Sequence, residues 1–289
     1  MGDFDSAWLK WRWASVHCQA LVRAVELWTE ERKGNPLLTL RYEYSSSFRG
    51  FAVLVASIES FPPNLSLHLG DIVSNLRQSL DHATWAMVQR GTRASSLNPQ
   101  QESSVQYPYT YSRSHFNNVI PNRLPGATRS DIAVVRAFQP FARPVRRHTL
   151  GNLATFSNED KHRTIKPILA LPDAAQFTAN CIRDCHSPRV SAPRKRVGPL
   201  QVGSELGRIY VKKVGPDPMI ETTGTLDAKL AINDKFLLDQ WWSATCQAVG
   251  DFLARLESPP FAWDATIPVW VLPPPDGHPG SPPRALFTP

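Results

Sequence analysis

The segment LGDIVSNLRQSLDHATWAMV, Leu69 to Val88, limits the possible folds of this chain more than any other. At about 100° per residue, Ile72, Val73, Leu76, Leu80, Ala83 and Met87 fall on one arc roughly 100° wide, the apolar stripe of a core-facing helix. Asp71, Asn75, Gln78 and His82 lie together on one flank of that stripe, and Arg77 and Asp81 on the other. Such a helix must be covered by other elements. Its polar flanks then either hydrogen-bond to those elements or face a site.

The rest of the pattern is α+β, a helical bundle with an inserted β-hairpin and an antiparallel sheet in the C-terminal half. The reading places a single domain over 1–257, with helices over 6–33, 66–90, 128–165 and 234–257. Its β regions cover 37–60 and 168–232, and a proline-rich tail follows over 258–289. Asn64 or Ser66, Thr128 or Ser130, and Asp234 are the expected N-caps of the later helices. Gly91 to Gly126 reads as loop-rich, with YPYTYSRSHF its ordered-looking part. No glycine-rich phosphate loop and no βαβ alternation appears, which argues against a doubly wound nucleotide-binding fold.

No apolar run reaches the ~18 residues of a membrane span, so a soluble, cytoplasmic protein without membrane partners is expected. The net charge of +7 suits a polyanionic partner, and RNA is the expected one. Basic clusters at Arg143, Arg146 and Arg147, and at Arg194, Lys195 and Arg196, are the expected nucleic-acid contacts. The four cysteines are scattered. CIRDCH (Cys181, Cys185, His186) lacks the second ligand pair of a zinc site and reads as a loop with two free thiols. No Gly-x-Ser-x-Gly elbow, His-Glu-x-x-His or cysteine nucleophile stands out, and no cofactor is expected.

Arg77 and His82 carry a sharper reading. An imidazole titrates near neutral pH and moves protons, while a guanidinium stays charged and forks onto phosphate oxygens. The spacing in RQSLDH resembles the arginine-x4-histidine signature of HEPN-type ribonucleases. That resemblance implies a metal-independent endoribonuclease in which Arg77 steadies the scissile phosphate and His82 moves the ribose 2′-hydroxyl proton. Five residues at ~100° separate the two side chains by about 140°, so convergence on one phosphate requires a bend or a second copy. The resemblance implies a homodimer.

A second stretch, NLATFSNEDKHRTIKP, gathers Asn158, Asp160, Lys161, His162 and Arg163 at a helix end. The order of this segment with LGDIVSNLRQSLDH, YPYT and FQPF over roughly 10–255 resembles a group of uncharacterised proteins common in actinobacteria. These share "GD…NLRxxLDH" and "NxDKHR" motifs, and the resemblance implies an architecture without an activity. On that pattern Asp71, Asn75, Arg77, Asp81, His82, Asn158, Asp160, Lys161, His162 and Arg163 are motif positions. If the two segments pack together, Asp81 and His82 would face Asp160 and His162. Two further readings follow from such a meeting. One is a non-catalytic binding or scaffold protein locked by Asp81–Arg163 and Asp160–Arg77 ion pairs, which is favoured over a bound metal. The other is a metal-dependent hydrolase centred on Asp81, His82, Asp160 and His162.

Overall fold

The computed structural model describes residues 3–32, 37–92, 97–142, 144–163, 165–171, 176–191, 196–225, 229–232 and 236–257. The proline-rich tail, the expected cap Asp234, and Arg143, Arg194 and Lys195 lie outside them, as do the side chains of Arg146, Arg147 and Arg196. Seven helices are described: α1 (Asp5–Glu30), α2 (Pro63–Thr92), α3 (Pro99–Ser104), α4 (Arg113–Arg123), α5 (Arg129–Ala137), α6 (Pro144–His162) and α7 (Leu238–Glu257). The strands are β1 (Leu38–Ser45), β2 (Gly50–Ile58), β3 (Pro167–Leu171), β4 (Gln176–His186) and β5 (Arg189–Ser191). They continue with β6 (Arg196–Pro199), β7 (Glu205–Tyr210), β8 (Lys213–Thr225), β9 (Lys229–Ile232) and β10 (Phe236–Leu237). The protein is thus α+β, with antiparallel sheets built largely from its C-terminal half. Among the described residues no helix is long and apolar enough to cross a membrane.

Two compact units share the chain, one made of Met1–Ala24, Asn64–Ile165 and the segment from Gln240, the other of Val25–Pro63 and Lys166–Asp239. The first is helical. All six residues of the α2 stripe are fully buried, and Leu69, Ser79, Thr84 and Val88 join them, so α2 is covered over more than its apolar arc. On α1, Ala7 and Ala14 are fully buried small residues. They let the backbones approach closely enough for Ser79 Oγ to donate to the Ala7 carbonyl at 2.9 Å. Trp11 Nε1 donates to the Cys246 carbonyl on α7 at 2.9 Å. Phe252 of α7 meets the rings of Tyr107 and Phe138 edge-on, at 5.2 and 5.5 Å between centroids.

Arg90, in the last turn of α2, ties three helices of this unit. Its Nη2 donates to Asp131 Oδ1 at 2.7 Å, and its Nη1 donates to the Leu256 carbonyl at 3.1 Å near the end of α7. Thr128 caps α5 by accepting from the Asp131 amide, as its sequence position suggests. At Gly91 the backbone of α2 passes so near Gly126 that a Cβ would stand 2.3 Å from the Gly126 carbonyl oxygen. Glycine is required there by close approach.

The second unit holds the sheets. The hairpin β1–β2 is continued by β7 and then β5, giving the order β1-β2-β7-β5. A separate four-stranded sheet runs β10-β9-β3-β6, and β4 pairs with β8. Alternate residues of β2, Phe51, Val53 and Val55, are buried with Leu206, Ile209, Val211 and Ile220 in one cluster. The early hairpin is therefore an integral part of a sheet completed about 150 residues later, rather than an isolated insertion.

Three local expectations are corrected. The stretch after Gly91 holds two helices where loop was expected. Asn98 and Gln101 form a reciprocal capping box on α3, and Ser112 caps α4 by accepting from the His115 amide. The last helix starts at Leu238, because Phe236 and Leu237 pair with β9 instead of extending it. Cys181 and Cys185 lie on β4 in place of a loop, and Cys185 is disulfide-bonded rather than free. Cys18 and Cys246 are free and buried. Burial pushes both thiols up to about 12, which keeps them protonated and weakly nucleophilic.

Candidate functional site

Arg77 sits one turn before Asp81 on α2, and its Nε donates to Asp81 Oδ2 at 3.0 Å. An exposed pair at this spacing contributes only a few tenths of a kcal/mol. Here the two side chains are 15 % and 29 % exposed, so solvent screens them less. The other oxygen of Asp81 is also used: Oδ1 accepts from the Tyr107 amide at 2.9 Å. Arg77 Cζ lies 4.2 Å from the centroid of the Tyr109 ring. Burial pulls the Arg77 pKa down, but Tyr109 and Asp81 outweigh it and hold it above its ordinary value. The guanidinium is a fixed positive charge.

The YPYT segment is thereby pinned to α2 at its first residue. At its last residue Gln139 holds it, since Gln139 Oε1 accepts from both the amide and the hydroxyl of Thr110, at 3.0 and 2.9 Å. Gln139 Nε2 donates in turn to the Val135 carbonyl at the end of α5. Thr110 and Gln139 are both fully sequestered from solvent. The YPYT and FQPF segments of the sequence are thus one hydrogen-bonded assembly, which fixes the main chain beside Arg77.

A cleft of about 300 Å³ opens against that segment. Its lining combines Arg77 of α2, residues 106–110, His115, Val119 and Arg123 of α4, and Asn158 and Lys161 of α6. Among the described residues three permanent cations line it and no aspartate or glutamate does. Arg123 Nη1 donates to the Ser104 carbonyl at 3.1 Å, and with the Gln106 amide turned to suit, the Gln106 carbonyl accepts from Arg123. Lys161 is exposed, and among the described residues no acid pairs with it. The Tyr109 hydroxyl is buried beside the Arg77 guanidinium and has no acceptor for its own proton among the described residues. Burial raises the Tyr109 pKa, with Arg77 opposing the rise, so at neutral pH the hydroxyl is a protonated donor awaiting an acceptor.

Other sequence-derived positions fall elsewhere. His82 is not among the residues that line the cleft. Its pKa is lowered from 6.5, first by burial and then by the charge of Lys10, with Asp81 pulling the other way. In the proton NMR titration of its imidazole the midpoint is therefore expected below 6.5, and Lys10→Gln is expected to raise it. The sign for stability follows: the unfolded state binds the proton more tightly, so the folded state loses stability as pH falls through 6.5 toward the folded midpoint. A midpoint above 6.5 would contradict the placement of Lys10.

The α2 and α6 segments do meet, but at a different place from the one expected. A Cβ on Gly70 would stand 2.6 Å from Asp160 Oδ1, so the glycine of the Gly-Asp pair leaves the space that the Asp160 carboxylate fills. The Asp160 pKa is raised, first by burial and then by the charge of Asp71. Gly70 precedes His82 by twelve residues, about 18 Å of helix, so Asp160 does not face His82. Among the described residues no ion pair joins Asp81 to Arg163 or Asp160 to Arg77, because Arg77 and Asp81 satisfy each other. His162 and Arg163 are exposed. Asn75 Nδ2 donates to the Asp71 carbonyl at 2.8 Å, an intrahelical bond that leaves its role local.

His115, Arg123, Gln106 and Tyr109 were not singled out by the sequence. For His115 and Arg123, the capping serine at 112 and the arginine that ends α4 hinted at the helix that presents them. The residues expected to converge as acids, bases or ligands at Asp81, His82, Asp160 and His162 do not gather their ligand atoms in one place among the described residues, whereas His17, His68 and Asp71 bring one such atom each within 4.8 Å of the others. Comparison with protein-family models, curated proteins and solved structures finds no match to this chain.

Proposed function

We propose that this protein binds RNA through a backbone phosphate held in the Arg77–Arg123–Lys161 cleft. The observation that carries the reading is the lining itself, which among the described residues holds three cations, amide and hydroxyl donors, and no carboxylate. Guanidinium groups fork onto phosphate oxygens, and the orphan hydroxyl of Tyr109 is a donor that an anionic oxygen would satisfy. The overall charge of +7 favours a polyanion over an isolated phosphate.

Fluorescence anisotropy with a labelled single-stranded RNA, read across a salt series, tests this. Lys161→Ala is expected to weaken binding and to make the slope of log K against log salt shallower by about 0.7, one phosphate contact. Wild-type binding that is independent of salt, or a Lys161→Ala slope equal to wild type, would remove the cleft from consideration. Inorganic phosphate and a mononucleotide, used as competitors, separate a polymer site from a small-anion site.

Phosphodiester cleavage is a second reading, favoured by an imidazole, His115, that lines the same cleft as Arg77. In it the 2′-hydroxyl oxygen attacks phosphorus as the imidazole accepts its proton, and the bond to the 5′-oxygen breaks, that oxygen taking a proton from solvent, which gives a 2′,3′-cyclic phosphate and a 5′-hydroxyl. Arg77 would stabilise the charge on the phosphorane oxygens. His82, on the same helix, would reach such a phosphate from a second copy of the chain. Purified protein incubated with RNA should yield cyclic-phosphate ends. Loss of product in His115→Ala alone assigns the base to the cleft, and loss in His82→Ala alone assigns it to the dimer.

A further inference from the structure

A second constellation lies on the opposite flank of α2 from Arg77, and the cleft does not use it. His68 and Asp71 stand three residues apart and so share a face of the helix, and His17 of α1 packs beside them. One ligand atom from each of the three lies within 4.8 Å of the others. His17 Nδ1 is 3.4 Å from Asp71 Oδ2. Donors held about 2.0–2.1 Å from a tetrahedral ion are about 3.3 Å apart, so the His17–Asp71 edge already has the right length and His68 has at most about 1.5 Å to close.

An ordinary reading of these groups is a His17–Asp71 ion pair. It accounts for two of the residues and leaves the rest unexplained. His68 Nδ1 is buried without a hydrogen-bond partner among the described residues, which is costly for an imidazole nitrogen. Asp160 approaches α2 at the neighbouring position, where its carboxylate fills the space beside Gly70. Glycine at 70 is what permits the approach, since any Cβ there would displace the Asp160 carboxylate.

We propose that His17, His68 and Asp71, with water completing the coordination, bind a divalent first-row transition ion of the Zn2+ class. Two imidazoles with a carboxylate suit Zn2+ and its neighbours, whereas Mg2+ and Ca2+ prefer oxygen throughout. Asp71 is 54 % exposed and His17 27 %, so an ion can enter from solvent without opening the bundle. Because α1 and α2 each supply a ligand, the ion would staple the two helices together.

The test is calorimetric titration of Zn2+ into the full chain after chelator treatment, with Co2+ in parallel for its visible absorption. One ion per chain is expected, with Mg2+ failing to compete. His17→Ala, His68→Ala and Asp71→Ala should each weaken Zn2+ binding on the order of 100-fold and abolish the tetrahedral Co2+ spectrum. His115→Ala, in the cleft, should leave Zn2+ affinity unchanged, which keeps this result separate from the RNA reading. If His68→Ala does not fold, His17→Gln removes a ligand from the partly exposed flank of α1 and should show the same loss of affinity. No stoichiometric binding, or binding that survives both histidine substitutions, overturns the site.

Discussion

Asp131→Ala is expected to lower the free energy of unfolding by about 3 kcal/mol, near the lower end of what removal of one partner from a buried ion pair costs. The lower end applies because the Arg90 side chain is 31 % exposed, whereas Asp131 is only 2 % exposed. Two bonds are lost together, Arg90 Nη2 to Oδ1 and Thr128 Oγ1 to Oδ2, while the capping bond from the Asp131 amide to Thr128 Oγ1 remains. The guanidinium that remains keeps only its bond to the Leu256 carbonyl and its position over the Phe4 ring. Urea denaturation should show a lower midpoint with an unchanged m value. Asp131→Asn retains an acceptor for Thr128 and should lose less. A midpoint equal to wild type in the alanine variant would mean that Arg90 does not tie α2 to α5.

Arg77→Met is expected to be the second large loss, about 2–3 kcal/mol of stability, together with loss of RNA binding. The methionine keeps much of the contact with Tyr109 but leaves Asp81 with the Tyr107 amide as its sole hydrogen-bond donor among those described. The double variant Arg77→Met/Asp81→Leu separates the two roles. It removes the stranded carboxylate and should recover part of the stability, since a buried pair replaced whole is often near neutral. RNA binding should stay lost in both variants. Recovery of binding in the double variant would make Arg77 a scaffold residue only.

The helix that anchors both constellations was legible because hydrophobic periodicity is a local property. Six spaced apolar residues sufficed to place α2 and its buried face. The Arg77–Asp81 pair was visible as an i,i+4 spacing, though not its partial burial, which depends on Tyr107 and Tyr109 packing over it. The short helices α3 and α4 were hidden because their sequences are polar and their signal is capping chemistry alone. With them were hidden His115 and Arg123. The meeting of α2 with α6 was anticipated, but its register was not: a glycine, which carries no side chain to advertise a contact, decides that Asp160 lands at residue 70. His17 escaped for the same reason. Nothing near it in the sequence marks a site, and its neighbours come from a helix fifty residues on.

The interleaving of the two units bears on how the chain is made. The helical unit needs α7, the last helix described, to cover Tyr107 and Phe138, and the sheet unit needs β7 before β2 has a partner on its second edge. About 150 residues separate β2 from β7, which at ribosomal rates is about 10–30 s of synthesis. Throughout that interval the nascent chain presents an open strand edge and an uncovered aromatic seam. Neither unit can close before the other has been nearly translated, so this fold commits late, and holding chaperones would find their sites in the first half of the chain.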